Sequence, residues 1–104
     1  MPNKTWKSAE RRIARMFGSE RNPLSGIGSR HTASDSLHPR YFIETKMRKK
    51  IPFKAVFAEA VKLAKKEGKI PMLVAHETGN KYEDDLIFMR LGDFINELRR
   101  TKEC

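Results

Sequence analysis

Hydrophobic and polar positions alternate along this chain in two periods, and the switches between them mark the elements. From Thr5, whose side chain suits a helix N-cap, Trp6, Ala9, Ile13, Met16 and Phe17 recur at helical spacing until Gly18 offers a stop. Glu20 to Leu24 reads as a short strand, followed by the turn-forming Ser25-Gly26-Ile27-Gly28-Ser29. Pro39 closes the loop that holds Asp35, and Tyr41 to Met47 is a β-branched and aromatic run fit for a central strand. After Pro52, Phe53, Val56, Phe57, Ala60, Val61 and Ala64 fall on one helical stripe, with Lys62, Lys65, Lys66 and Glu67 on the outer side and Gly68 at the end. Ile70 to His76 is a nearly continuous apolar strand. Thr78 to Lys81 is a turn, Asp85 to Leu91 another strand, and Phe94 to Arg100 a last helix.

This order predicts an α/β fold, a mixed central sheet flanked by helices, in one domain spanning residues 1–104. The connection from the Tyr41 strand through the long helix to the Ile70 strand is long enough for a parallel crossover, which places the Tyr41 strand inside the sheet.

Charge narrows the partners. Twenty-two Lys and Arg against thirteen Asp and Glu give a formal net charge of +9, which favours a polyanion, nucleic acid first. A membrane surface is disfavoured because no helix joins a basic face to a bulky exposed apolar one. Met1 to Arg12 is polar and basic, unlike a signal peptide, and the apolar runs are short, so a soluble cytoplasmic protein is expected. The single cysteine, Cys104, allows neither an internal disulfide nor a Cys-x-x-Cys zinc motif.

The chemistry concentrates at Glu44-Thr45-Lys46. Two residues apart on an extended strand, Glu44 and Lys46 point to the same face. Magnesium takes oxygen ligands, keeps several waters and needs only one or two protein carboxylates, which Asp35 and Glu44 can supply together with the Thr45 backbone carbonyl. Lys46 would stand near the attacking water or the scissile phosphate, and two metal positions would stabilise both the entering and the leaving oxygen. Glu10 sits at the border of the first helix's apolar stripe, away from Lys7, Arg11 and Arg15; a carboxylate so placed calls for a partner or a cation. The ordinary alternatives are a solvated Glu44–Lys46 ion pair, a loop-capping Asp35 and a Glu10 favoured by the helix dipole.

A helical Glu, a loop Asp, Glu-x-Lys on the next strand, then an amphipathic helix and a further strand resemble the PD-(D/E)xK nuclease superfamily, in particular its small Holliday-junction-resolvase-like members, phage-encoded ones included. The resemblance runs from about Thr5 to Leu91. Ser34 stands before Asp35 where the motif's name has proline. The resemblance implies a restriction-endonuclease-like core of order α-β-β-β-α-β-β-α. It further implies Mg2+ or Mn2+ held by Asp35, Glu44 and the Thr45 carbonyl, a catalytic Lys46, an auxiliary Glu10, and cleavage of branched DNA. Two symmetric cuts in a junction suit a C2 homodimer.

Arg48, Lys49 and Lys50 after the strand, and Arg21, Arg30 and His31 beside the flexible loop, are expected to meet DNA phosphates. His31, His38 and His76 lack zinc spacing and suit surface or strand-end roles. Tyr82-Glu83-Asp84-Asp85 reads as a solvated turn, and Gly26 with Gly28 lacks the helix and lysine of a nucleotide loop, so no nucleotide cofactor is expected. Three other functions fit the same sequence: a restriction-like or repair endonuclease on linear duplex, a non-catalytic basic nucleic-acid-binding module, and an interaction protein that retains a nuclease fold.

Overall fold

A computed structural model of the chain describes residues 2–23, 32–47 and 50–102. The elements are α1 (Pro2–Met16), β1 (Tyr41–Lys46), α2 (Phe53–Glu67), β2 (Ile70–Ala75), a single 3-10 turn (Tyr82–Asp84), β3 (Leu86–Phe88) and α3 (Leu91–Lys102). The chain is therefore α/β with a three-stranded mixed sheet of order β1-β2-β3, β1 parallel to β2 and β2 antiparallel to β3.

Both long helices end as their glycines require. Gly18 and Gly68 have φ of 75° and 67°. In each case the glycine N–H and the N–H after it close back on the last turn: Gly18 on Arg15 and Ser19 on Ala14, Gly68 on Lys65 and Lys69 on Ala64. That pairing is the Schellman motif, and a side chain at either glycine would strain the left-handed backbone.

Alternation along β1 divides the core in two. Ile43 packs with Ile13 of α1 and Val74 of β2, whereas its neighbour Phe42 packs on the other face against Ala60 and Ala64 of α2. Small residues at the α2 contact let the helix lie close to the sheet, while Phe53 reaches past it to stack on Phe88 at 4.3 Å.

Several expectations need correction. α1 begins at Pro2, so Thr5 lies within the helix and does not cap it. Trp6 and Met16, placed on the apolar stripe, are 40% and 50% exposed; the buried face is Ala9, Glu10, Ile13 and Ala14. The Glu20–Leu24 strand reduces, over its described part, to an isolated antiparallel bridge between Arg21 and Ser36. β3 is only three residues long, and α3 starts at Leu91, three residues before the expected Phe94. Asp85 is not in a solvated turn: its carboxylate meets Nδ1 of buried His76 at 2.8 Å, and that imidazole stacks on Tyr82.

β1 is also an edge strand of the named sheet, not an interior one. Its outer edge is nonetheless closed. Ile43 donates its N–H to Oγ of Ser34, and its carbonyl accepts from both the Ser34 hydroxyl and the Asp35 N–H. The segment around Ser34 takes the place of a fourth strand without adopting strand geometry.

Candidate metal and phosphodiester site

Three hydroxyl residues at every second position, Thr32, Ser34 and Ser36, organise the loop that carries Asp35. All three are buried. Asn22, 1% exposed, donates its side-chain amide to the carbonyls of Thr32 and Ser34, and its backbone N–H to the carbonyl of Asp35. From α2, Glu67 accepts the Ala33 N–H at 2.9 Å and the Thr32 hydroxyl. Burial alone would push the Glu67 carboxyl up, but these bonds and Lys69 outweigh it and leave its pKa lowered. Glu67, read from the sequence as an outer-face residue, is thus a clamp on the loop.

Asp35 is delivered to the outer edge of β1, where its Oδ2 accepts the Thr45 N–H at 2.7 Å. A strand turns the peptide groups of alternate residues to the same side. The N–H and carbonyl of Ile43 both face this edge, so the Thr45 carbonyl, two residues on, faces it as well. The Asp35 carboxylate and the Thr45 carbonyl therefore share this edge, one residue along the strand from Glu44.

Glu44 and Lys46 share the α2 face of β1, as their spacing predicts, with Nζ 3.3 Å from Oε1. They open onto a cavity of about 310 Å3 whose other walls are Ala55, Val56, Glu59, Ala60 and Leu63 of α2. Glu59 was not anticipated; its position two turns before Glu67 on the charged side of α2 carried no distinguishing signal.

Glu10 approaches from α1 and is only 7% exposed, so it lies on the buried face and not merely at its border. Its Oε1 accepts from Nε of Arg21 at 2.9 Å. Burial, then the Asp35 charge, raises the Glu10 pKa to about 7 against the opposing pull of Arg21 and Lys46. Burial and the same Asp35 charge raise Glu44 to about 7, with Lys46 opposing and Glu10 adding to the repulsion. Glu10, Asp35, Glu44 and Lys46 thus form one electrostatic unit assembled from α1, a loop and β1.

Among the described residues, no group of three or more His, Cys, Asp or Glu side chains is gathered closely enough to cage a metal ion by itself. What the chain offers is the Asp35 carboxylate and the Thr45 carbonyl at one edge and the Glu44 carboxylate on the adjoining α2 face, with Glu10 bonded to Arg21. Hard oxygen donors with surplus negative charge suit a cation that completes its shell with water and phosphate oxygens.

The residues expected to grip DNA are less uniform. Arg21 is committed to Glu10 and lies over the Trp6 ring at 5.5 Å, so it is not the free phosphate contact expected. Lys50 is exposed just before α2. Arg30, His31, Arg48 and Lys49 lie outside the described residues, as do Gly26 and Gly28. His38 has the strand-end role expected: its Nδ1 accepts the N–H groups of Arg40 and Tyr41 at the start of β1. Burial, with Lys69 and Arg40 nearby, lowers its pKa.

Among the described residues no helix is long and apolar enough to cross a membrane. Comparison with known proteins found no matching family model, no matching curated protein and no matching solved structure.

Proposed function

We propose that the chain is a divalent-metal-dependent endonuclease of the PD-(D/E)xK type that hydrolyses DNA phosphodiesters, with branched DNA such as a four-way junction as substrate. The observation that carries this reading is that Asp35, bonded to the Thr45 N–H, lies near enough for its charge to raise the Glu44 pKa, while the Lys46 ammonium stands 3.3 Å from Glu44.

Asp35, Glu44 and the Thr45 carbonyl would hold Mg2+ or Mn2+, which supplies Lewis-acid activation of water and of the phosphoryl group when bound. Lys46 brings a positive charge to the face shared with Glu44, where it aligns the attacking water and offsets charge on the phosphoryl oxygens. Glu10 adds a carboxylate whose affinity for a proton near neutrality suits it to holding a water-derived proton. The clamp of Asn22, Ser34 and Glu67 keeps the Asp35 loop rigid, so the donors need no reordering when substrate arrives.

The net charge of +9 supports a polyanionic substrate. A homodimer would present two such sites for paired cuts. The apolar stripe of Leu91, Phe94 and Leu98, exposed on α3, is the surface we assign to it.

The test is cleavage of synthetic four-way junction, flap and linear duplex DNA with Mg2+ or Mn2+. Junction cutting should stop with EDTA and in Glu44→Gln and Lys46→Ala, while DNA binding persists. Preference for linear duplex would favour a restriction-like or repair enzyme. Binding without metal-dependent turnover would leave a basic nucleic-acid-binding module.

A further inference from the structure

Beside the Glu10–Arg21 pair lies a second cavity, of about 290 Å3, lined by Arg11, Arg15, Glu20, Arg21 and Pro23. Three arginines and one carboxylate, Glu20, face this space. Arg11 and Arg15, with Lys7 before them, stand four residues apart along the exposed side of α1, a row of cations spaced by about 6 Å. Like charges at that spacing repel. Neither Arg11 nor Arg15 has a carboxylate within ion-pair distance among the described residues. Arg21, by contrast, is oriented by Glu10 on one side and the Trp6 ring on the other.

We infer that this cavity is a phosphate-binding subsite, which takes a backbone phosphodiester of the nucleic acid other than the one being cut. Arg11 and Arg15 are its grips, since guanidinium groups match phosphate oxygens in bidentate geometry. Arg21 is its floor and joins it through Glu10 to the Asp35–Glu44 edge, so a strand held here is positioned relative to the metal site. The identity of the phosphate as DNA rests on the proposed nuclease function; the anion site itself does not.

The experiment is metal-free. Anisotropy titrations of the full chain with labelled DNA in EDTA, over a salt series, compare wild type with Arg11→Gln/Arg15→Gln and with Lys62→Gln/Lys65→Gln on the outer face of α2. The arginine pair should weaken binding and reduce the slope of log affinity against log salt by about 1.8, close to 0.9 per lost phosphate contact, and the lysine pair should leave the slope near the wild-type value. In parallel, inorganic phosphate should raise the melting temperature of wild type and not that of the arginine variant, whose own melting temperature should not fall. Equal slope changes in both pairs, or unchanged phosphate stabilisation, would overturn the subsite. Its failure is separable from that of the nuclease reading, which fails if Mg2+ or Mn2+ supports no cleavage while the phosphate effect remains.

Discussion

The Asp35 carboxylate accepts a 2.7 Å hydrogen bond from the Thr45 backbone N–H, so the side chain that would bind a cation also closes the outer edge of the strand carrying its partner ligand. One contact thereby serves folding and chemistry. An edge N–H buried without an acceptor is costly, and here the acceptor is charged, which strengthens the bond.

Substitutions at Asp35 should separate those two roles. Asp35→Asn keeps an oxygen that can accept from Thr45 and removes the charge. Stability should stay within about 1 kcal/mol of wild type, while cleavage and divalent-cation binding are lost. NMR titration of the Glu10 and Glu44 carboxyls should then show both pKa values moving down from about 7, because the Asp35 charge is the second cause raising each. Unmoved values would mean that Asp35 does not belong to the cluster. Asp35→Ala, which leaves the Thr45 N–H bare, should cost about 1–3 kcal/mol in urea unfolding.

The metal-free protein should respond to pH in a definite direction. Glu44 ordinarily titrates near 4.5 and in the fold near 7. A carboxyl raised in this way contributes stability that is complete below pH 4.5 and lost as pH rises through 7. Glu44→Gln lacks the titration, so its stability relative to wild type should climb by about 2 kcal/mol between pH 5 and pH 8. Mg2+ added at pH 8 should stabilise wild type and not the variant, and chelation should reverse the gain. A gap that stays constant with pH would contradict the crowded-carboxylate geometry.

Much of this site was legible because strand alternation is strict: Glu44 and Lys46 had to share a face, and an apolar run of that length had to be a strand. Gly18 and Gly68 likewise announced their helix ends. The loop was not legible in the same way. Ser34, Asn22 and Glu67 make bonds between residues 9 to 35 apart in the chain, and polar residues in a loop look alike until the fold reveals which are buried. The alternation Thr32-Ala33-Ser34-Asp35-Ser36 was the available hint, a period of two with hydroxyls in place of apolar residues. The position of β1 was misjudged for a related reason. Its second neighbour is an irregular segment bonded through a serine hydroxyl, which no strand pattern signals. Asp85 and Arg21 were read from local charge alone, and each is taken up by a buried partner distant in sequence.

A proline in place of Ser34 should therefore harm this protein. The Ser34 N–H donates to Oγ1 of Thr32, and the Ser34 hydroxyl bonds both the N–H and the carbonyl of Ile43. Proline removes the first and the serine side chain's bonds vanish with it. Ser34→Pro should destabilise by about 2–4 kcal/mol in chemical denaturation and reduce cleavage by loosening Asp35. Ser34→Ala, which keeps the backbone donor, should fall between. Wild-type stability in Ser34→Pro would show that the loop does not depend on these bonds.

The proposed dimer can be tested at α3. Leu91, Phe94 and Leu98 lie at i, i+3 and i+7, one stripe along the helix, and Leu91 is 74% exposed. The Arg40 and Tyr41 side chains hold Glu97, on the flank of this stripe, so the helix stays tied to the start of β1 while Leu91, Phe94 and Leu98 remain exposed. A C2 partner would bring the same stripe against itself. Leu91→Glu/Leu98→Glu should change the stability of the single chain by no more than about 0.5 kcal/mol, since both residues are already solvated. It should convert the protein to monomer in sedimentation equilibrium and turn paired junction incisions into uncoupled single nicks. A wild-type chain that is monomeric at the concentrations where it cuts both strands would defeat the assignment, because one site would then be performing both incisions.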